Sequence, residues 1–164
     1  MRNLISRGVN YLKAHQGMLW AFAGILFLDR LTKVWALAVL TQKPVAVFPF
    51  FHLHYVENTG AAFGMFQNGN TLLIAVMLVV IAYILYSWRD LCKYGRAVQW
   101  GAVFILAGAF GNLYDRITLG FVVDFLDFRV WPVFNVADSF ISIGACLFAW
   151  ALLKSQFCKK TEEK

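Results

Sequence analysis

The run GNLYDRITLGFVVDFLDFRVWPVFNVADSF, from Gly111 to Phe140, places Asp115, Asp124, Asp127 and Asp138 between strongly apolar flanks. Carboxylates in greasy surroundings are candidates for proton chemistry. Like charge and partial desolvation both raise a carboxyl pKa, so two such groups brought together tend to share one proton. The protonated member can donate to a substrate carbonyl while the ionised member takes a proton from water. That division of labour hydrolyses a peptide bond without a covalent intermediate. Asp124 lies among Val122, Val123 and Phe125 in a strand-like run, where a structural role is hard to find. Asp127 follows three residues later and projects to the opposite face of an extended segment, so one of the two can face the protein interior while the other faces water or headgroups. Asp138 opens an apolar helix behind Asn135, a helix-capping residue, so negative charge at a helix N-terminus also accounts for it.

Other polar residues sit close to this stretch or in equally apolar company. Asp29 and Lys33 are spaced i,i+4 on one helix face and can pair, as a structural ion pair or as a brace for a polar site built by other helices. Arg30 is rotated away and is expected to snorkel or meet lipid headgroups. Asn112 and Asp115 share a face at the end of an apolar helix, with Arg116 rotated from them; capping and an Asp–Arg pair are an alternative to a site. Asn58 and Gly60 in NTGAAFG can orient a substrate backbone or simply form a turn. His52 and His54 alternate along a predicted strand, a spacing that favours interfacial packing over a metal.

The elements that must hold these groups are dictated by composition. The 164 residues are 60% hydrophobic and only 15% charged, against roughly a quarter charged in soluble domains. Four segments, 18–40, 71–88, 98–113 and 136–153, approach the ~20 apolar residues needed to cross a bilayer. Residues 1–164 therefore read as one integral membrane domain, with residues 159–164 as a flexible tail. Arg2, Arg7, Lys13, Arg89, Lys93, Arg96, Lys154, Lys159, Lys160 and Lys164 lie on one side of the spans. Only Lys43, Arg116 and Arg129 lie on the other, which puts both termini in the cytoplasm. The net charge of +6 is thus an inner-rim charge rather than a nucleic-acid patch. The first span is too long and too charged for a cleavable signal peptide and is expected to remain as an anchor. The first outer loop contains PVAVFPFFHLHYVEN, which predicts one or two short strands.

Several chemistries find no support. Cys92, Cys146 and Cys158 form no zinc pattern and no outer disulfide is expected. No nucleophile elbow or phosphate-binding glycine loop occurs. An ion-coupled transporter would need polar residues toward both faces, and these are confined to one. A lipid phosphatase holding Mg²⁺ on aspartates is the metal-dependent alternative.

LDRLTK (Leu28–Lys33), NTGAAFG (Asn58–Gly64), GNLYDR (Gly111–Arg116), VVDF (Val122–Phe125) and FNVADS (Phe134–Ser139) together resemble the lipoprotein signal peptidases, or signal peptidase II family. The resemblance implies an aspartic endopeptidase of the bacterial inner or plasma membrane. Its substrates would be diacylglyceryl-modified prolipoproteins, cut before the lipidated cysteine near the extracytoplasmic face. It implies Asp124 and Asp138 as the catalytic pair, with Asp29, Lys33, Asn58, Gly60, Asn112, Asp115, Arg116 and Asn135 binding substrate or supporting the site, and Asp127 as a solvated bystander. It implies no cofactor and no metal, with membrane lipids and prolipoproteins as partners and a monomer as the working unit. The implied fold is an all-α membrane protein: four transmembrane helices, a small extracytoplasmic β-sheet, and a short surface helix in the first outer loop. Arg30 stands where the family pattern has glutamine, and Tyr114 where an aliphatic residue is usual.

Overall fold

The computed structural model describes the backbone of residues 2–60 and 69–162 and the side chains of residues 15–60 and 69–154. Among the described residues, five helices and three strands follow in the order α1 (Arg2–Val39), β1 (Val45–Phe48), β2 (Phe51–Asn58), α2 (Asn70–Tyr86), α3 (Trp88–Leu91), α4 (Arg96–Thr118), β3 (Val122–Asp127) and α5 (Val136–Glu162). A 3₁₀ turn at Cys92–Tyr94 joins α3 to α4. The short surface helix expected in the first outer loop would fall on residues 61–68, which lie outside the described residues.

The packing is inverted relative to a water-soluble protein. Trp20, Phe27, Val79, Tyr83, Ile143, Trp150 and Leu153 face outward, whereas Asp29, Lys33, Asn112, Asp115, Arg116, Asp124 and Asn135 are buried. Large contiguous apolar exposure of this kind requires a nonaqueous solvent around the helices. By length and composition, α4 and residues Val136–Lys154 of α5 can each cross a bilayer, and α2 with α3 makes a third crossing if that pair, bent by 58°, counts as one. Four spans were expected. The fourth candidate, α1, is long enough, but Asp29, Arg30 and Lys33 interrupt its apolar run.

Helix α4 is the centre of the helical layer. It packs against α1, α2 and α5, and α2 rests on α4. Its Val98, Ala102, Leu106, Ala109 and Leu113 bury against Ile81 and Ile84 of α2 and Ala151 of α5. Where α4 crosses α5, Gly101 faces Gly144: a Cβ built on Gly101 would stand 2.7 Å from the Gly144 carbonyl oxygen, and one on Gly144 would stand 2.6 Å from that of Gly101. Backbones this close exclude any side chain, as small-residue contacts between membrane helices require.

The sheet has the order β1–β2–β3, all antiparallel. Val123 and Phe125 of β3 pack on Ala36 and Leu40 at the end of α1, which fastens the sheet to the helices. Val56 pairs with Asp124 and Asn58 with Val122, so Asn58 and Asp124 are diagonal neighbours across the ladder. Beyond β3, the Phe134 carbonyl accepts from the backbone N–H groups of Phe125 and Leu126. These bonds bring the start of α5 to the strand that carries Asp124.

Replacing Gly101 with leucine is expected to cost at least 1–3 kcal/mol by overpacking and to lower the thermal transition in detergent. Gly24, with open space around its Cα, provides the control. Its replacement by alanine should leave the transition unchanged or raise it slightly, because helix propensity improves by up to about 1 kcal/mol.

Candidate active site

Asp124 leaves the middle of β3 and Asp138 the first turn of α5. Asn135 joins them. Its side-chain Nδ2 donates to Asp124 Oδ1 at 2.7 Å, and its backbone N–H donates to Asp138 Oδ2 at 3.3 Å. In return the Asp138 N–H donates to Asn135 Oδ1 at 2.9 Å. The exchange between Asn135 and Asp138 is a capping box at the start of α5, with asparagine and aspartate in the two roles. Because Asn135 Oδ1 is committed to a backbone N–H, its amide nitrogen must point at Asp124. The remaining oxygens are held as tightly: Asn58 Nδ2 donates to Asp124 Oδ2 at 2.8 Å, and Asn112 Nδ2 to Asp138 Oδ1 at 2.7 Å.

Behind this pair lies a buried ionic cluster. Lys33 is fully buried, and its ammonium lies 2.9 Å from Asp29 Oδ2, 2.9 Å from Asp115 Oδ2 and 2.9 Å from Asn112 Oδ1. Three acceptors meet three protons. The bond to Asn112 Oδ1 fixes the orientation of that amide, and so directs its nitrogen at Asp138. Asp29 Oδ1 accepts from the Ala137 N–H of α5 at 2.9 Å. Asp115 Oδ2 also accepts from the Val123 N–H of β3 at 3.3 Å. Each carboxylate of the cluster therefore grips the backbone next to one of Asp138 and Asp124. Gly111 makes room for this: a Cβ there would stand 2.6 Å from Asp29 Oδ2.

Arg116 leaves α4 toward the segment between β2 and α2, where it donates to the Gly60 carbonyl at 2.5 Å and to Asn70 Oδ1 at 3.2 Å. Asn58 Oδ1 accepts from the Gly60 N–H at 3.0 Å, closing a turn just after β2. Asn58, Gly60, Asn112, Arg116, Asp124 and Asp138 all line one cleft of about 1080 Å³.

The ten residues read from the sequence as catalytic or supporting thus lie in this one connected region. Other expectations fail. Arg30 does not reach for headgroups: its Nη1 donates to Asp115 Oδ1 at 2.7 Å, and its guanidinium lies 5.1 Å from the centre of the Tyr114 ring. Asp115 consequently pairs with Lys33 and Arg30, not with Arg116. Nor is Asp127 solvated. Its side chain is only 8% exposed, because Arg129 turns back at φ 67° and donates its N–H at 2.7 Å and its guanidinium at 3.3 Å. His54 Nδ1 adds a contact at 3.7 Å. Asn70, Gly111 and the Ala137 N–H were not anticipated. Gly111 stood in the sequence only as the first residue of the GNLYDR motif. Among the described residues, no group of three His, Cys, Asp or Glu side chains could hold a metal ion.

Electrostatics separate Asp124 from Asp127. Burial, with the Asp138 charge beside it, pushes Asp124 up to about 7, despite the opposing hydrogen bonds from Asn58 and Asn135. Asp127 goes the other way: burial would raise it, but the bonds and charge of Arg129 outweigh burial and lower it. A carboxyl poised near neutrality beside a second carboxyl, in a cleft, can exchange protons with a bound substrate.

A family model described as signal peptidase (SPase) II matches residues 21–154. A lipoprotein signal peptidase of Caldanaerobacter subterraneus subsp. tengcongensis is 45% identical over 136 residues, covering 80% of this chain and 92% of the relative. Another, from Pelotomaculum thermopropionicum, is 42% identical over 146 residues, covering 87% and 95%. A solved structure described as a bacterial membrane enzyme aligns with a TM-score of 0.78 at 29% identity, over 86% of this chain and 90% of its own. A second with the same description gives 0.77 at 28% identity, over 85% and 94%. With a match over most of its length, the chain belongs to the signal peptidase II family of bacterial membrane peptidases.

Proposed function

We propose that Asp124 and Asp138 are the catalytic pair of an aspartic endopeptidase that removes signal peptides from diacylglyceryl-modified prolipoproteins, cutting before the lipidated cysteine. The observation that carries this reading is the double grip of Asn135, which ties the two carboxyls together while Asn58 and Asn112 hold their other oxygens.

Asp124 supplies the acid, since its raised pKa keeps the proton near neutrality. Asp138, in the first turn of α5, is where the helix dipole favours negative charge, and supplies the base. Water attacks the scissile carbonyl carbon and gives one proton to Asp138, while Asp124 gives its proton to the carbonyl oxygen. The tetrahedral diol then collapses. Its hydroxyl proton returns to Asp124, the C–N bond breaks, and Asp138 protonates the departing amine. The pair ends as it began, with one proton. Asn58, Asn112 and Asn135 fix the carboxyls, and the Arg116–Gly60 contact shapes the cleft wall that receives the peptide.

Substrate entry from the side of the protein follows from how the cleft is lined. Its polar end is set by Asn58, Asp124 and Asp138, and its flank by Leu73 and Met77 of α2 and Ile141 and Ile143 of α5. Along that apolar flank the acyl chains can remain in hydrocarbon while the peptide reaches the carboxyls. The charges of α1 point into the protein, so α1 serves as the fourth span. The basic inner rim then puts both termini in the cytoplasm and the cleft toward the outer face. A monomer contains every group this reading requires.

Asp124→Asn and Asp138→Asn should each lower cleavage of a diacylglyceryl prolipoprotein peptide by about a hundredfold or more, with the thermal transition retained. Asp127→Asn should keep most activity, and near-normal turnover in either of the first two variants would remove the pair from the mechanism. Wild-type kcat/KM should decline as pH rises above about 7, where Asp124 loses its proton. A profile flat from pH 6 to 9 contradicts the acid role. A peptide lacking the diacylglyceryl group should be cut at least tenfold more slowly. Equal rates would eliminate the lateral route.

A further inference from the structure

The charged groups around the carboxyl pair fall into a balanced set. Asp29, Asp115, Asp124 and Asp138 face Arg30, Lys33 and Arg116. With one proton present, four carboxyls against three cations leave the cluster neutral. Lys33 belongs to the pattern already described, and Arg116 is engaged with Gly60 and Asn70. Arg30 remains. It lies on the outward side of α1, between lipid-facing Phe27, Leu31 and Val34, yet turns its charge inward.

That inward turn is built by two contacts. The guanidinium donates to Asp115 Oδ1 at 2.7 Å and is covered by the Tyr114 ring at 5.1 Å. The ring shields the cation from hydrocarbon and adds a cation–π attraction. Asp115 is fully buried and faces Arg30 and Lys33 of α1 and the Val123 N–H of β3, with the Arg116 and Asp29 charges nearby. Without Arg30, the Asp115 charge would fall on Lys33 alone, which also serves Asp29 and Asn112.

We propose that Arg30 is a positioning residue of this peptidase, neutralising Asp115 from the lipid side so that the Asp124–Asp138 pair of this chain works over a lower pH window than a neutral side chain at position 30 would give it. Tyr114 is its cover. The chain thus carries a fixed cation where a neutral side chain would leave the cluster one charge short. Substituting it by a neutral residue should make the carboxyls around Asp115 harder to ionise. The pH window would then move upward, since loss of a nearby positive charge raises every carboxyl pKa in reach.

This proposal rests on the Asp124–Asp138 reading, and its test separates the two. Activity against a diacylglyceryl prolipoprotein peptide would be measured from pH 5 to 9 for wild type, R30Q, R30K and Y114L, with D124N as reference. R30Q is expected to move both limbs of the kcat/KM profile upward by about half a pH unit or more, mainly through kcat. R30K should bring the limbs back most of the way, and Y114L, which keeps the cation, should leave them in place. An active D124N would overturn the catalytic pair itself. An inactive D124N with an unshifted R30Q profile would overturn only the role of Arg30. If R30Q does not fold, the R30K and R30M profiles replace it: superimposed limbs in those two variants reject the proposal, and an upward shift confined to R30M supports it.

Discussion

The ammonium of Lys33 is the point from which the rest of the site is hung. It is fully buried and saturated, with Asp29, Asp115 and the Asn112 carbonyl each at 2.9 Å. A buried ion pair stabilises little in itself, because desolvation cancels much of the attraction. Removing one partner is another matter, since uncompensated buried charge typically costs about 3–5 kcal/mol. Here Asp29 would lose its cation and Asp115 one of its two. Each of them holds a backbone N–H, Ala137 for Asp29 and Val123 for Asp115, next to one catalytic candidate. Lys33 therefore sets the spacing between α1, α4, β3 and α5 in the same bonds that set the carboxyl pair.

A membrane setting strengthens this dependence. With lipid outside, burial of apolar side chains gives helices little reason to associate, and polar contacts and close backbone packing take over. Both are present. Gly101 and Gly144 let α4 and α5 touch backbone to backbone. Further out, the ionic cluster clamps α1 to the same pair. The sheet is then secured by Val123 and Phe125 on α1 and by Phe134 beside β3. Polar groups are at the centre because no other place in such a protein can satisfy them.

Much of this arrangement was legible in the sequence, for physical reasons that differ by residue. Asp124 stood out because an apolar strand offers an aspartate no ordinary use, and Asp29 and Lys33 because charge in a spanning helix is costly. The strands were legible from β-branched and aromatic runs. Arg30 was misread because helical rotation describes where a side chain starts and says nothing of where a long flexible one ends. Asp127 was misread for a related reason: strand alternation gives a face, but the turn at Arg129 that covers it lies outside the strand. Gly111 was hidden because its importance lies in the Asp29 carboxylate of another helix, a tertiary contact that no local pattern encodes.

Asn135 shows why fold and chemistry cannot be separated here. As the cap of α5 it satisfies the Asp138 N–H, a donor every helix start must place somewhere. The same side chain holds Asp124 Oδ1, and donates at 3.1 Å to the Asn112 oxygen that Lys33 also binds. A serine or threonine would cap the helix as well, but has no second polar group to spend on Asp124. An aspartate would cap it too, yet would place a further negative charge against the pair. Only an amide offers an acceptor to the helix and donors to a carboxylate at once. The residue type at this position thus follows from the two demands together, and neither demand alone would select it.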